Sequence, residues 1–573
     1  MTRVARVKTI GNDDITVADY LAAYIANKKV PAVFELSGGM IAFLTDAIYR
    51  EGSVPIYNMR HEQAAGFAAE GASRITGVPS VAMATSGPGA TNLVTAIGSA
   101  YFDSTPIVFI TGQVHQSEMR KNSKQRQNGF QELNIVEMVK GITKKAIQVK
   151  TPEEFKHALD LVWASALSDR PGPVLIDIPI DVQQMKMGRL KLSASDLKSK
   201  KVKTLDLASF ETFYNWVNSS KRPLILIGGG IRHPNQVAKF RQIVEMLEIP
   251  VVYSLMAVDV MGNSSKFKVG MIGSYGNRWA NKALKECDTL IVLGSRLDVR
   301  QTGNSIENFI HGKKIIRVDI DDTELTGRIK ADLNINLNLS DFLDNLMIEK
   351  VRVQCLDFLK EINLWRHSYP PESEQEQDFE LNPNYVVKFL STIFENTMGY
   401  VVDVGQHQMW AAQSLNLESN QRFLTSGGMG AMGFSIPAAI GCAVVGDKDW
   451  VVITGDGCAQ LTLPEFETLK QYHLPVIVCI FNNNQLGMVA QFQEENMNSR
   501  FIATREGYST PDFAAIGLAF GIPTIKIKMK SDLNKLKDMM KKRVGGPMIV
   551  EIVISQNAKA LPKLKNTSGF SDL

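Results

Sequence analysis

Two short polar motifs in the last third of the chain end two apolar segments and carry side chains that bind hard cations. Gly455-Asp456-Gly457 follows the apolar segment 451–454, and Asn482-Asn483-Asn484 follows the apolar segment 476–481. A helical pattern from Leu463 to His473 separates them, which predicts a strand–helix–strand unit of a parallel sheet. In such a sheet both motifs reach one edge, where open α/β sheets bind ligands.

This arrangement predicts a site for a divalent cation and a diphosphate. Asp456 offers a carboxylate, Asn483 an amide oxygen and the nearby backbone a carbonyl, an all-oxygen set that suits Mg²⁺. The glycines Gly455 and Gly457 let backbone N–H groups approach the phosphates. The structural alternative is a plain βαβ unit with polar caps. Both motifs stand at strand ends, which favours the diphosphate–metal site.

Glu62 is the candidate acid of the first third of the chain. It lies between His61 and Gln63, where a strand gives way to a helix of small residues from Ala64 to Arg74. A carboxylate at a helix start is commonly a structural group that the helix dipole stabilises. The functional alternative is a partly buried acid that hydrogen-bonds to the ring nitrogen of a heterocyclic cofactor.

Strands and helices alternate along most of the chain, which predicts an α/β fold of doubly wound parallel sheets. A chain of 573 residues is too long for one core. Two polar segments, at about 186–206 and 366–380, have the composition of linkers. We therefore expect three doubly wound domains and a tail, over 14–185, 207–345, 380–557 and 558–573.

The central domain carries a weaker motif of nucleotide binding. Its apolar segment 223–231 contains Gly228-Gly229-Gly230, the form of a phosphate-binding turn without the full dinucleotide fingerprint. Later strand ends bring Arg296, Asp298 and Asp319, and at such positions an arginine can hold a phosphate and an acid a ribose. An inert spacer domain is the alternative.

Two further segments have the composition of site-forming loops. The small residues of the segment 426–437 predict a backbone packed against a flat ligand, with Met432 as an apolar wedge under a bent cofactor. A glycine-rich loop before a helix is the alternative. The polar and basic segment 111–132, which includes Phe130 and Gln131, lies between a strand end and a helix, as active-site loops do.

Composition argues against several classes of protein. Hydrophobic residues make up 45% and charged residues 21% of the chain, as in ordinary soluble proteins, and a net charge of +4 predicts no nucleic-acid partner. No apolar run is long enough to span a membrane, and the N-terminus lacks a signal-peptide core. Five scattered cysteines without metal-site spacing predict reduced thiols and a cytoplasmic location.

Over about residues 14–560 the sequence resembles the acetolactate synthase (acetohydroxyacid synthase) family of thiamine-diphosphate-dependent enzymes. The motifs that carry this resemblance are His61-Glu62-Gln63, Ser86-Gly87-Pro88-Gly89, Phe130-Gln131-Glu132, Arg170-Pro171-Gly172-Pro173, Gly405-Gln406-His407-Gln408-Met409-Trp410, Ser426-Gly427-Gly428-Met429-Gly430, the two polar motifs of the third domain and Leu486-Gly487-Met488-Val489. The resemblance implies the thiamine-diphosphate-binding fold twice, flanking an FAD-binding central domain.

The resemblance also implies a role for each candidate residue. Glu62 matches the acid that activates the aminopyrimidine ring, which reverses the local preference for a structural role. The other matches are Asp456, Asn483 and the Gln485 carbonyl for Mg²⁺; Gly405, Gln406, His407, Gly430, Met432, Gly455, Asp456, Gly457, Asn483 and Met488 for thiamine diphosphate; Gly228, Gly229, Arg296, Asp298 and Asp319 for FAD; and Phe130 and Gln131 for the substrate pocket.

The implied activity is that of a decarboxylating carboligase that makes 2-acetolactate and CO₂ from two pyruvate molecules in branched-chain amino-acid synthesis. The implied cofactors are thiamine diphosphate, Mg²⁺ and FAD. In this family Glu62 and the diphosphate motif of one site come from different chains, so a homodimer or homotetramer is implied. A regulatory subunit is a further partner that the resemblance allows.

Four departures from the family pattern concern the acceptor substrate. Ile180 replaces Lys, Phe492 replaces Trp, Leu36-Ser37 replaces Tyr-Pro, and the loop from Gln113 to Phe130 is longer. We expect all four around the substrate entrance. They leave open a flavin-containing carboligase that adds a two-carbon unit from pyruvate to a keto-sugar nucleotide. A 2-oxoacid decarboxylase and a non-catalytic homologue are weaker alternatives.

Overall fold

The structure is a computed structural model that describes residues 15–122, 124–187, 206–232, 236–375 and 377–564. It contains three six-stranded parallel sheets with helices between their strands, which confirms the predicted fold class. Most of the predicted linker 186–206 and part of the predicted tail 558–573 lie outside the described residues.

The three central strands of the first sheet, β3, β4 and β6, are buried along their whole length, because helices cover both faces of the sheet. Its strands are β1 (Val33–Leu36), β2 (Ile56–Asn58), β3 (Ser80–Ala84), β4 (Ile107–Gln113), β5 (Lys145–Gln148) and β6 (Val174–Pro179). Its helices are α1 (Val17–Asn27), α2 (Ala42–Glu51), α3 (Glu62–Thr76), α4 (Pro88–Asn92), α5 (Val94–Phe102), α6 (Ile135–Val139), α7 (Pro152–Leu167) and α8 (Ile180–Gln184). The strand order is β2-β1-β3-β4-β6-β5.

The second sheet has the strand order typical of dinucleotide-binding folds. Its strands are β7 (Pro223–Ile227), β8 (Val251–Tyr253), β9 (Lys268–Met271), β10 (Thr289–Leu293), β11 (Lys314–Asp319) and β12 (Leu333–Asn336). Its helices are α9 (Leu207–Ser219), α10 (Val237–Leu247), α11 (Arg278–Glu286), α12 (Val299–Thr302), α13 (Ile306–Ile310), α14 (Asp322–Leu325), α15 (Leu339–Asn345) and α16 (Leu356–Ser368). The order β12-β11-β10-β7-β8-β9 reverses direction between β7 and β10, at the predicted glycine turn.

The third sheet repeats the topology of the first. Its strands are β13 (Gly399–Val402), β14 (Arg422–Leu424), β15 (Trp450–Gly455), β16 (Val476–Asn482), β17 (Thr524–Ile527) and β18 (Met548–Val553). Its helices are α17 (Pro383–Ile393), α18 (Gln406–Ser414), α19 (Ser435–Val444), α20 (Asp456–Gln460), α21 (Glu465–Gln471), α22 (Gly487–Asn496), α23 (Phe513–Ala519) and α24 (Lys530–Lys542). Its order, β14-β13-β15-β16-β18-β17, matches that of the first sheet strand for strand.

Helices α3 and α19 join the first domain to the third by a very close approach. A Cβ on Gly71 would lie 2.1 Å from the carbonyl oxygen of Ala438, and a Cβ on Gly441 would lie 1.8 Å from that of Ala68. Only glycine allows two helix backbones to touch in this way. Because Glu62 begins α3, this contact fixes the first-domain acid relative to the third domain.

Some boundaries differ from the predicted ones for local reasons. Helix α3 begins at Glu62 rather than Ala64, because the ring of His61 accepts a hydrogen bond from the backbone of Gln63 and caps the helix. The acidic segment 366–380 is packed against its neighbours: Glu374 lies 2.6 Å from Arg278, and Glu372 lies 2.8 Å from Lys388.

Candidate active site

The two polar motifs of the third domain meet at one edge of its sheet, as predicted. Strands β15 and β16 are paired, with Gly455 opposite Phe481. Asp456 begins α20, Asn483 follows β16, and both side chains are buried. The backbone N–H of Gln485 donates to Asp456 Oδ2 over 3.3 Å, which joins the two motifs directly.

The oxygen atoms at this edge form a donor set of the kind Mg²⁺ prefers. The side-chain nitrogen of Asn483 donates to Gln406 Oε1 over 3.2 Å, and within the described part of the chain nothing donates to its oxygen. Burial raises the pKa of Asp456 to about 6, and a neighbouring cation would lower it. Among the described residues, no three or more His, Cys, Asp or Glu side chains are placed to hold a metal ion together. The candidate metal set at this edge is one carboxylate with neutral oxygens.

His407 provides a test of whether a diphosphate fits beside this set. Its Nε2 atom is buried and has no hydrogen-bond partner among the residues that the structure describes. Burial lowers the pKa of His407 to about 4, so the ring is neutral at pH 7. The ring packs against Gly455, where a Cβ would lie 2.8 Å from its Cε1 atom. An unpartnered buried nitrogen is costly, and a phosphate oxygen would satisfy it.

Two helix N-termini converge on the same place. Helix α18 begins at Gln406 and α22 begins at Gly487, and a Cβ on Gly487 would lie 2.1 Å from Gln406 Oε1 and 2.8 Å from Asn483 Nδ2. Met488 is the second residue of α22. Free N–H groups and the positive end of the helix dipole favour phosphate at such a position, so the residues present fit a diphosphate.

Asp456, Asn483 and His407 together form what we call the cradle. The glycine-rich segment 426–437 covers it. Met432 is 36% exposed, and its Cε atom would lie 3.4 Å from a Cβ on Gly457. The buried carboxylate of Asp403 anchors the segment by accepting from the backbone of Gly433 over 3.0 Å and of Ser435 over 2.9 Å. Met432 therefore belongs to the same cradle as the diphosphate motif, and Gly430 precedes it by two residues.

Glu62 lies in a second group of residues at the edge of the first sheet. Its side chain is buried, and its Oε2 atom accepts a hydrogen bond of 2.9 Å from Asn92. Gln131 has a positive φ of 65° and packs against Gly87 in the same loop region. Phe130 is 79% exposed, so its ring is free for a contact outside the described chain.

The two groups are not joined within one chain. No hydrogen bond or ion pair of the described residues links Glu62 with Asp456, Asn483 or Met432. Other residues bridge the two domains: the backbone of Arg60 donates to Glu465 Oε1 over 3.0 Å, and the backbone of Gly428 donates to Asp103 Oδ1 over 2.7 Å. Glu62 and the cradle each lie at an edge of a parallel sheet. Glu62 lies at the first sheet and the cradle at the third.

A cavity of about 550 Å³ lies where all three domains meet. All five residues predicted to bind FAD line it, namely Gly228, Gly229, Arg296, Asp298 and Asp319. Its size and its position at the switch point of the second sheet suit a dinucleotide. Burial raises the pKa of Asp319, which lies at the end of β11.

The predicted residues of this cavity differ in how far their side chains are already engaged. Asp298 caps α12 by accepting from the backbone of Arg300 over 2.9 Å, so it has a structural task besides lining the cavity. Arg296 donates to the carbonyl of Phe102 over 3.2 Å and lies 4.0 Å from Asp298. The guanidinium of Arg296 is therefore only loosely paired and remains able to bind a phosphate.

Sequence reasoning missed several residues that the fold brings to these sites. Arg74, Asp103 and Arg170 from the first domain line the cavity, although only Arg170 belongs to a motif that the sequence singled out. Asn92 contacts Glu62, and Tyr508 contacts Asp456. Asn92 ends α4, the short helix that opens at the Ser86-Gly87-Pro88-Gly89 motif after β3, and this motif is a usable signal, whereas no local pattern marks Tyr508.

The four departures from the family pattern lie on two domains. Leu36 ends β1 and Ile180 begins α8, both at the edge of the first sheet. In the loop after β4, Glu132 accepts from the backbone of Arg120 over 2.9 Å. Phe492, on α22 of the third domain, is 47% exposed. Their place around a substrate entrance stays a prediction.

Two further findings bear on the cell compartment and on membranes. All five cysteines, Cys287, Cys355, Cys442, Cys458 and Cys479, are unpaired and buried. Among the helices of the described residues, none combines the length and the apolar character needed to cross a membrane.

Family profiles match the chain in three consecutive parts. Residues 15–138 match the N-terminal TPP binding domain of thiamine pyrophosphate enzymes, residues 211–346 their central domain, and residues 403–552 their C-terminal TPP binding domain. Each match falls on one of the three sheets.

Curated relatives align over almost the whole chain. The acetolactate synthase large subunit of Corynebacterium glutamicum is 32% identical over 100% of this chain and 92% of its own. The acetolactate synthase of Mycobacterium leprae is 33% identical over 98% and 90%, and the large subunit of Lactococcus lactis is 34% identical over 93% and 92%.

Proposed function

The chain belongs to the thiamine pyrophosphate enzymes of the acetolactate synthase family, and on this premise we propose that it joins two 2-oxoacids with loss of CO₂. The reaction is the conversion of two pyruvate molecules and one proton to 2-acetolactate and CO₂. The observation that carries the proposal is the cradle of Asp456, Asn483 and His407 at the ends of paired strands. It holds an unpartnered buried nitrogen where a diphosphate fits.

Different residues of this chain have different proposed roles in the reaction. Thiamine diphosphate, when bound, supplies the carbon nucleophile that removes CO₂ and passes on a two-carbon unit. Gln406, His407 and the start of α22 would bind its diphosphate, and Met432 would pack against it. The Glu62 carboxylate would hold a proton at a ring nitrogen.

Asp456, Asn483 and the Gln485 carbonyl would hold Mg²⁺, because they are oxygen ligands beside a diphosphate cradle. The central cavity would hold FAD, with Arg296 at a phosphate, Asp319 at a ribose, and Gly228 and Gly229 close to the ligand. Its lining by residues of all three domains supports this assignment. Absorbance in the flavin bands of the purified protein tests it directly.

The lack of a direct contact between Glu62 and the cradle supports a proposal about quaternary structure. We assign the site to the interface of a homodimer or homotetramer, with the acid of one chain serving the cradle of another. The relatives named large subunits support a regulatory partner as well. Domain limits of 14–185, 207–345 and 380–557 and a cytoplasmic location, which five reduced thiols support, complete the proposal.

The test is to supply purified protein with thiamine diphosphate, Mg²⁺, FAD and pyruvate, and to identify the product by mass. Formation of 2-acetolactate supports the synthase activity, and its absence with all cofactors bound contradicts it. Adding keto-sugar nucleotides as competing acceptors examines the effect of Ile180 and Phe492, which reduce charge and hydrogen-bonding capacity at their positions. A product that contains the sugar would assign the larger acceptor instead.

A further inference from the structure

Tyr508 contacts the carboxylate of the candidate metal ligand from outside the motifs that define the site. We propose that Tyr508 is a positioning residue that occupies Oδ1 of Asp456, leaves Oδ2 as the oxygen open to a cation and so makes the site prefer Mg²⁺ to Ca²⁺. The inference rests on the proposed Mg²⁺ site and adds a determinant of cation selectivity to it.

The direction of the Tyr508 hydroxyl is determined by its neighbour Gln460. The side-chain nitrogen of Gln460 donates to Tyr508 Oη over 3.1 Å and also to the carbonyl of Ser509 over 3.4 Å. Because a carbonyl can only accept, the amide nitrogen of Gln460 faces both atoms. The hydroxyl therefore accepts from Gln460 and has its single proton left for Asp456, which lies 3.2 Å away at Oδ1.

The two oxygens of Asp456 differ in how many donors they meet. Oδ1 accepts from the backbone of Gly457 over 2.7 Å and from Tyr508, which uses both of its lone pairs. Oδ2 accepts a long bond of 3.3 Å from Gln485, and the backbone of Asn484 is a further donor to the carboxylate. Oδ2 is therefore the oxygen more open to a cation, because Oδ1 is engaged by two donors.

The segment that carries Tyr508 is anchored to the same strand end as Asn483. Thr504 donates to Gln493 on α22 over 2.5 Å, and Thr510 donates to Asn482 over 3.3 Å and to Asn484 over 3.2 Å. These bonds hold both ends of the segment around Tyr508. Burial and the charge of Asp456 raise the pKa of Tyr508, so the hydroxyl remains a donor in the neutral pH range.

The consequence for cations follows from their ligand preferences. Mg²⁺ requires a compact octahedral set and accepts one oxygen from each carboxylate, whereas Ca²⁺ readily takes both oxygens of one carboxylate. A carboxylate whose Oδ1 is occupied can still give Mg²⁺ the one oxygen that it requires. The same carboxylate offers Ca²⁺ one oxygen instead of two. Removing the Tyr508 hydroxyl frees Oδ1 and lets the carboxylate rotate.

The test is to measure binding of thiamine diphosphate to the full-length protein by calorimetry while either Mg²⁺ or Ca²⁺ is titrated. In Tyr508→Phe we expect the Mg²⁺ concentration needed for half-maximal binding to rise about 10-fold, as for other losses of ligand orientation. The Ca²⁺ requirement should rise less or fall. Tyr385→Phe is the matched control, since Tyr385 lies in the same domain and its side chain is 39% exposed.

Two outcomes would overturn the inference, and they have different meanings. If wild-type protein needs no divalent cation to bind the cofactor, the proposed metal site fails and this inference fails with it. If wild type responds to Mg²⁺ but Tyr508→Phe changes both cation requirements by the same factor or not at all, the positioning role alone is wrong. Thermal unfolding of each variant shows that it is folded.

Discussion

At the scale of single residues, Glu62 combines burial with one well-defined hydrogen bond. Asn92 holds its Oε2 atom, and Oε1 lies beside Gly89, where a Cβ would approach it to 3.2 Å. An acid held by one oxygen keeps the other in a constant direction for a ligand. This geometry supports the functional interpretation of Glu62, although its position as first residue of α3 would equally suit a structural role.

We expect Glu62→Gln to lower kcat by at least about 100-fold, the usual range for loss of acid–base catalysis, because an amide cannot exchange a proton with the ring nitrogen. Binding of thiamine diphosphate, measured by calorimetry, should change little, since the diphosphate cradle is untouched. Glu137→Gln, at a side chain that is 63% exposed in the same domain, is the control. Unchanged turnover in Glu62→Gln would show that the acid has another task.

Asp177 is a second buried acid, and its ionisation affects the stability of the folded protein. It accepts hydrogen bonds from Thr111 over 2.7 Å, Gln148 over 2.7 Å and Gln113 over 3.1 Å, all neutral donors. Burial raises the pKa of Asp177 to about 6, above the value of about 4 in an unfolded chain. Between these values the folded protein binds the proton more tightly, so this contribution to stability is complete below about pH 4 and is lost as pH rises through 6.

Asp177→Asn should remove that pH dependence. The amide nitrogen can donate to the Thr111 hydroxyl, and the amide oxygen can still accept from both glutamines, so the packing is retained. We expect the urea midpoint of the variant, relative to wild type, to increase between pH 4 and 7 and then level off. Asp378→Asn, at an exposed position, provides the comparison. A constant difference across this range would contradict the burial effect.

At the scale of elements, the turns after β7 and β10 approach each other closely and form one wall of the central cavity. A Cβ on Gly228 would lie 2.2 Å from the carbonyl oxygen of Gly294 and 2.6 Å from the Cα of Ser295. Arg317 on β11 is fully buried and donates to the carbonyl of Ser295 over 3.1 Å, which keeps the turn after β10 in place. The wall therefore cannot move far without breaking buried hydrogen bonds.

Gly228→Ala should consequently separate the two turns and weaken flavin binding by about 10-fold or more, since overpacking of this kind costs roughly 1–3 kcal/mol. Flavin absorbance after gel filtration measures the retained fraction. Gly141→Ala is the matched control, because a Cβ there meets nothing within 4 Å. Full retention of flavin by Gly228→Ala would place the cofactor elsewhere or show that the turns adapt.

At the scale of the whole molecule, the repeat of one sheet topology bears on the proposal that each site is formed by two chains. The first and third sheets have matching strand orders, and α3 packs on α19 so that the two units are held together by small residues. Among the described residues no hydrogen bond joins Glu62 to Asp456 or Asn483, although other residues of the two domains are bonded to each other. A second copy of the chain can bring its first domain to the cradle of the third.

Co-expression of two variants that are each inactive tests whether one site is formed by two chains. If each site takes Glu62 from one chain and Asp456 from another, co-expressed Glu62→Gln and Asp456→Asn should regain about a quarter of wild-type activity, because half of random dimers are mixed and each has one intact site. Each variant alone should stay inactive. Failure to regain activity, with mixed dimers shown by mass, would place both residues of a site on one chain.

The sequence by itself determined the three α/β units and the cradle of Asp456 and Asn483. Alternating strands and helices dictate parallel sheets, and parallel strands deliver the residues at their ends to a common edge, so local order is enough. The resemblance extended this to the residues lining the central cavity, where Gly228, Arg296 and Asp319 do meet.

Only the tertiary structure decided the contacts that tune those sites. Tyr508 reaches Asp456 across 52 positions, Asn92 reaches Glu62 across 30, and Arg74 reaches the carbonyl of Thr425 across 351. No periodicity or turn signal encodes such pairs, because they depend on how loops and domains pack after the sheets have formed. The packing also separated Glu62 from the cradle, since each is held on its own sheet and α3 and α19 set the spacing between them.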